Sequence, residues 1–232
     1  MPAMLEDPSA PPLQRVSGAA PYPTPTTPLP SSIVPIPITL RDSSPATLLP
    51  FSSPLSLPPA LLAHLSAVFN GEIARGDTYP MIDAVPLDRF GPYWFGNFGA
   101  VMLAGKWEGL TAETEADWEA VVLGSFYIKP NYPGRSSHVA NGGFLVTEAA
   151  RGKGVGRKMG EAYVKWAPQL GYTYSIFNLV YETNIASMRI WDALGFERVG
   201  RVKGCGALKS HPGRLIDAIV FGRELKIDES KP

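Results

Sequence analysis

Asn141-Gly142-Gly143-Phe144-Leu145-Val146-Thr147-Glu148-Ala149-Ala150-Arg151-Gly152-Lys153-Gly154-Val155-Gly156 is the run that says most about how this chain folds. Gly142 to Val146 reads as a strand, the glycines beyond it as a turn, and a helix is expected to start within Arg151 to Gly156. Met159, Ala162, Tyr163, Trp166 and Leu170 keep a helical period until Pro168 and Gly171 end it. Strand, glycine turn and helix in that order make a site for an anion. Glycines remove the Cβ atoms that would block close approach, and the free N–H groups of a first helical turn lie at the positive end of the helix dipole. A pyrophosphate fits.

Spacing narrows the ligand. A P-loop needs Lys-Ser/Thr at its end, whereas Gly156 is followed by Arg157-Lys158. A dinucleotide fingerprint needs a third glycine where this chain has Arg157 or Met159. What remains is R-x-x-G-x-G, formed by Arg151, Gly154 and Gly156. Taken alone, the run could also be a glycine turn closing a strand with no ligand. Downstream, Ser175-Ile176-Phe177-Asn178-Leu179-Val180 reads as the next strand and leads to Asn184, Ser187, Trp191, Gly195 and Phe196.

These two elements resemble the paired signatures of the GNAT superfamily of N-acetyltransferases. R-x-x-G-x-G is similar to that family's acetyl-CoA pyrophosphate loop. The downstream element resembles N-x-x-A-x-x-x-Y-x-x-x-G-F, with Ser187 and Trp191 in place of the small residue and the tyrosine. Leu123 to Tyr132, Trp166-Ala167-Pro168 and Tyr174 to Val180 further resemble the fungal proline-analogue enzymes that acetylate L-azetidine-2-carboxylate. The likeness runs from about Tyr79 to Gly222 and is absent from the N-terminal stretch.

The resemblance implies an α/β (α+β) GNAT fold, a mixed central sheet with splayed parallel strands flanked by helices. It implies acetyl transfer from acetyl-CoA, as cosubstrate and without a metal, to the secondary amine of a small cyclic imino acid such as azetidine-2-carboxylate or cis-4-hydroxyproline. Alternatives are another amine, such as a polyamine or a peptide N-terminus, or a CoA-binding or interaction module without catalysis.

Candidate site residues follow. Backbone N–H groups of Gly152, Lys153, Gly154, Val155 and Gly156 are expected on the pyrophosphate, with Arg151 and Arg157 adding charge. The resemblance implies that pantetheine pairs like a strand with Val146, that an N–H near Phe144 or Leu145 polarises the acetyl carbonyl, and that Asn141 and Asn178 hold the imino acid. An asparagine offers both a donor and an acceptor but is not a general base. His138, Glu182, water or a backbone carbonyl could take the proton, although His138 reads more simply as a loop residue. Trp191 stands where the family places its usual general acid, so Tyr181 or water is left to protonate the thiolate. Asn184 is expected to cap the next helix or to contact the cofactor.

Composition sets the frame around this centre. The 232 residues, 45% of them hydrophobic, suffice for a real core, and 21 basic against 21 acidic side chains give no overall field that would draw nucleic acid. One cysteine, Cys205, excludes an intramolecular disulfide and a cysteine-rich zinc site, which fits the cytoplasm. No apolar run approaches a membrane span, and Glu6 and Asp7 argue against a signal peptide. A homodimer is compatible with all of this.

Sixteen of the 24 prolines lie in the first 59 residues. Residues 1–32 therefore read as a proline-rich disordered arm and 33–228 as the catalytic domain. Ile33 to Leu40 suggests an edge strand with its prolines on one side. A helix is expected after Pro58-Pro59, and strands at Phe98 to Leu103 and Val121 to Ile128 with an acidic loop or short helix between them. Phe90, Tyr93, Trp94 and Phe95 read as core packing, with an acceptor pocket as the alternative.

Overall fold

The computed structural model describes residues 28–226, so most of the proline-rich stretch lies outside the described residues. Eight strands form one sheet: β1 (Ile36–Thr39), β2 (Pro45–Phe51), β3 (Phe98–Ala104), β4 (Val122–Pro130), β5 (Val139–Val146), β6 (Tyr174–Tyr181), β7 (Glu197–Ala207) and β8 (Leu215–Glu224). Their order is β1-β2-β3-β4-β5-β6-β8-β7. Every neighbouring pair is antiparallel except β5 and β6. Helices α1 (Pro59–Arg75) and α2 (Leu87–Phe95) cover one face, and α4 (Val155–Gln169) and α5 (Ile185–Ala193) cover the other. The mixed α/β fold expected from the sequence is thus present.

Because both faces are covered, the central strands are apolar on both sides rather than alternating with polar residues. Ala100 and Met102 of β3 face α4, while Val101 and Leu103 face α1 and α2. Helix α1 starts with Pro59 at its first position, buries Leu61, Leu65, Phe69 and Ile73 at four-residue spacing, and stops at Gly76 with φ of 74°. The aromatic cluster of α2 is core. Phe90, Trp94 and Phe95 are buried against Phe69 and Phe51, and the Trp94 indole donates to Ser125 Oγ at 2.8 Å, which donates onward to the Ala100 carbonyl. The acidic segment ends in a four-residue helix, α3 (Trp118–Val121), capped by the Asp117 side chain.

The edge strand is shorter than the sequence suggests, and its prolines behave as expected. The Gly105 N–H donates to the Pro45 carbonyl, so odd-numbered residues of β2 bond β3 and even-numbered ones bond β1. Ile36 and Ile38 therefore make the ladder with β2, and Pro37 turns its nitrogen to the open edge. The same alternation explains why β2 escaped detection. Pro45 and Pro50 bracket it, yet Pro50 points toward β1 just past Leu48, the last residue that β1 reaches, so its missing N–H breaks no ladder bond. Ordered contacts extend slightly before β1, since Leu29 packs on the core and the Ser32 hydroxyl donates to Gln169 Oε1 at 2.8 Å.

Trp191 is buried among Phe177, Phe144 and Phe196, with ring centroids 4.3, 4.9 and 5.4 Å away. The indole joins α5 to both splayed strands. We expect Trp191→Ala to lower stability by about 3 to 5 kcal/mol, as large-to-small core substitutions do, measured by urea denaturation. A loss below about 1 kcal/mol, within the range of surface substitutions, would show that this packing is not structural.

Candidate active site

Strands β5 and β6 pair in register at Val139↔Tyr174 and Ala140↔Ser175 alone. Beyond Ala140 they separate, and a cleft opens between them lined by Phe144, Val146, Phe177, Leu179 and the pyrophosphate-type loop. Register shows which backbone groups face it. Asn131 N–H donates to the Val139 carbonyl and Thr147 N–H to the Leu123 carbonyl, so Val139, Asn141, Gly143 and Leu145 bond β4. Phe144 and Val146 turn their amides toward the gap. Of the two amides considered for polarising a carbonyl, that of Leu145 faces the wrong strand and that of Phe144 faces the cleft.

The loop after β5 is built by backbone conformation. Gly152 and Gly154 have φ of 79° and 88°, a region that side-chain-bearing residues rarely adopt. Gly154 is the N-cap of α4 and no side chain caps the helix, so the N–H groups of Val155, Gly156 and Arg157 are left for a ligand. Lys153 N–H instead donates to Ala150 O at 3.4 Å. Gly156 allows a close approach, because a Cβ there would lie 3.1 Å from Ile190 of α5.

Arg151 of the motif and Arg157 just after it already hold carboxylates. Arg151 Nη2 donates to Glu72 Oε1 at 2.7 Å, and Glu72 also receives Arg75 at 3.5 Å and the Thr78 hydroxyl. Arg157 pairs with Glu161 at 3.0 Å. Their charge is therefore partly compensated by neighbouring carboxylates. Sequence reading missed Arg41, which reaches the loop from the far edge of the sheet. Its N–H donates to the Lys153 carbonyl, and its side chain would lie 3.2 Å from a Cβ placed on Gly154. Nothing local in the sequence links positions 41 and 154.

Tyr79 was also missed. It is buried, lines the cleft, and donates its hydroxyl to the Phe144 carbonyl at 3.1 Å. Burial pushes its phenol well above the usual range, with nearby Tyr93 and Glu72 adding to the effect, so the hydroxyl stays protonated and a donor.

At the base of the splay, Asn141 and Asn178 come together through a third amide, Asn131. Asn131 Oδ1 accepts from Asn141 Nδ2 at 2.9 Å and from Asn178 Nδ2 at 2.5 Å, and Asn141 Nδ2 also donates to the Ile176 carbonyl. Asn141 is fully buried and its Oδ1 has no hydrogen-bond partner. Asn178 is half-buried at a register shift in the β6–β8 ladder between Phe177 and Val180, where an irregular backbone can re-aim a side chain. Opposite Asn141 on β4 sits Lys129, buried, with its ammonium 3.8 Å from the centre of the Tyr93 ring and 4.7 Å from that of Tyr127.

The remaining candidates separate cleanly. Asn184 caps α5 by accepting from the Ser187 N–H at 3.1 Å, and it also lines the cleft. His138 is exposed in its loop, and Glu182 pairs with Arg201 at 2.8 Å and Arg214 at 3.8 Å. Tyr181 is buried at the cleft wall. Trp191 serves the core.

An open strand edge running into an uncapped, glycine-entered helix defines an acyl-transfer site of a recognisable kind, and comparison with known proteins agrees. Residues 89–196 match the model of the acetyltransferase (GNAT) family. N-acetyltransferase aca1 of Schizosaccharomyces pombe is 42% identical over 165 residues, covering 69% of this chain and 78% of that protein. Protein SPT10 of Saccharomyces cerevisiae is 34% identical over 228 residues, covering 82% of this chain and 36% of that longer protein. Among solved structures, a GCN5-related N-acetyltransferase from Kribbella flavida superposes with a TM-score of 0.61 at 27% identity, covering 77% of this chain and 98% of the other. A phosphinothricin acetyltransferase from Sinorhizobium meliloti, solved with acetyl-CoA, shares the fold with a TM-score of 0.59 at 18% identity, covering 81% and 92%.

The chain belongs to the GNAT family and is an N-acetyltransferase. Among the described residues no helix is long and apolar enough to cross a membrane.

Proposed function

We propose that this enzyme moves acetyl from acetyl-CoA to the secondary amine of a small cyclic imino acid of the azetidine-2-carboxylate or cis-4-hydroxyproline type, detoxifying proline analogues, with residues 33–228 as the catalytic domain. The observation that carries the acceptor is the buried, unpartnered Asn141 Oδ1, whose partner across the β4–β5 register is the buried Lys129. A neutral secondary amine has one N–H and one lone pair. If the N–H donates to Asn141 Oδ1, the lone pair is left for attack, while Asn178 and Lys129 suit the carboxylate. A polyamine would set its positive charge against Lys129.

The uncapped amides of Val155, Gly156 and Arg157, with Gly152 and Gly154 shaping the loop, fit the pyrophosphate of acetyl-CoA. Acetyl-CoA supplies the activated thioester. Val146 offers strand-like pairing to the pantetheine, and the Phe144 amide faces the position where the carbonyl oxygen gains negative charge. Tyr79 holds the carbonyl of Phe144, in the peptide that follows the one carrying this N–H. The Asn141 Nδ2 group already has two acceptors, which supports orienting the amine through Oδ1 as this side chain's role. With Glu182 held in ion pairs and His138 exposed, water is the proton acceptor this reading favours.

The test is a thiol-release assay with acetyl-CoA against azetidine-2-carboxylate, cis-4-hydroxyproline, spermidine and a peptide with a free N-terminus. The imino acids should give the highest kcat/KM. A preference for spermidine or the peptide would reject the acceptor, and no turnover on any amine would reject catalysis.

A further inference from the structure

The side chains given roles above leave Asn131 with none, although it is the centre of the polar cluster. It lies just beyond the end of β4 and is 1% exposed. Its backbone N–H donates to the Val139 carbonyl at 2.7 Å, continuing the β4–β5 ladder and fixing where its side chain can reach. One atom, Oδ1, then receives the NH2 groups of both Asn141 and Asn178, from two different strands. Its own NH2 returns toward Asn178 Oδ1 at 3.4 Å.

An amide side chain can flip end for end, exchanging donor and acceptor, unless its partners forbid it. For Asn141 they do. Its nitrogen faces two acceptors, Asn131 Oδ1 and the Ile176 carbonyl, and a flipped amide would set oxygen against both. The flip would also remove the free Oδ1. An unpaired acceptor this deeply buried is unfavourable by itself, so something must hold the amide in that orientation. Only the side-chain partner can be changed by mutation without moving a strand.

We propose that Asn131 is the positioning residue of the acceptor site. It uses one carbonyl oxygen to lock Asn141 and Asn178 across the splay and thereby presents Asn141 Oδ1 as acceptor for the N–H of the incoming amine. The inference rests on the acceptor reading above, and it selects for amines that retain an N–H when their lone pair is free. It also explains why two asparagines 37 positions apart act as a unit, since each is oriented through the same atom.

The experiment compares Asn131→Ala and Asn131→Asp with wild type, using whichever amine of the panel the wild type acetylates best, so that it does not depend on the acceptor being an imino acid. Asn131→Ala should raise the acceptor KM about tenfold or more, as expected for a lost orienting hydrogen bond, and leave acetyl-CoA affinity within about twofold. Asn131→Asp keeps an oxygen facing both NH2 groups but sets its other oxygen against Asn178 Oδ1, so it should recover part of that loss. In a double-mutant cycle, Asn131→Ala combined with Asn141→Ala should be clearly less harmful than the sum of the two, because one acts through the other. A merely structural role would lower the melting temperature without a selective rise in acceptor KM, and aspartate would restore none of the loss.

Should Asn131→Ala not fold, Asn131→Thr, which stays polar but lacks the shared planar oxygen, takes its place with the same expected rise in KM. If Asn141→Ala is impaired while the Asn131 variant retains wild-type KM, the positioning role is overturned and the acceptor site stands. If Asn141→Ala itself is silent, the acceptor reading fails and the positioning role fails with it. An aspartate variant as impaired as the alanine one also overturns the proposal.

Discussion

Gly154→Asp should reduce acetyl-CoA affinity by at least about a hundredfold while leaving a folded protein, because the new carboxylate would occupy the anion site from within. Gly154 is the N-cap of α4, so a carboxylate there would stand beside the first-turn amides that should bind pyrophosphate. A side chain at φ of 88° is strained, and a Cβ there would also lie 3.2 Å from the Arg41 side chain. The backbone cost is about 1 to 2 kcal/mol. Gly154→Ala carries the same strain without the carboxylate and separates the two effects, so it should lose affinity less. Calorimetric titration with acetyl-CoA, alongside thermal melting, measures both. Unchanged affinity in a folded Gly154→Asp protein would remove the loop from the cofactor site.

Asn141→Ala should cut acceptor kcat/KM by roughly ten- to a hundredfold, since a hydrogen bond to a charged or reacting group is worth about 1.5 to 3 kcal/mol. Acetyl-CoA binding should persist. The variant also strips a donor from Asn131 Oδ1 and from the Ile176 carbonyl, so a stability loss of about 1 to 3 kcal/mol is expected with it. Asn178→Ala should show a similar kinetic loss with a smaller stability change, because Asn178 is half-buried and its nitrogen donates to Asn131 alone among the hydrogen bonds described for it. The buried member of the pair is thus the one whose kinetics most need a parallel melting curve. Wild-type efficiency with azetidine-2-carboxylate in both folded variants would exclude the asparagines from the acceptor site.

Much of the cofactor side was legible in the sequence because its requirements are local. Gly152 and Gly154 mark positive φ, and Arg157 after Gly156 excludes the nucleotide loops. The periodic apolar residues from Met159 onward fix the helix whose first turn is left uncapped. The cap at Asn184 and the turn at Gly195 belong to the same category, since each depends on residues within one turn of itself. Asparagines 141 and 178 were visible as polar residues in apolar strands. Their tie through Asn131 was not, because Lys129-Pro130-Asn131 reads as the end of a strand entering a loop.

The sequence by itself determined the strand, glycine turn and helix that make an anion site, and the two-motif pattern that marks the acetyltransferase family. Backbone conformation, capping and side-chain periodicity are short-range properties, so a single stretch of residues suffices to specify them. Only the tertiary structure decided that β8 inserts between β6 and β7 and that β5 and β6 part after Ala140. It alone turned the Phe144 amide to the cleft and brought Arg41, Tyr79, Lys129 and Asn131 to positions remote from them in the chain. Those placements follow from strand register and from the burial of two apolar sheet faces, which many separated segments must satisfy at once and no one segment records.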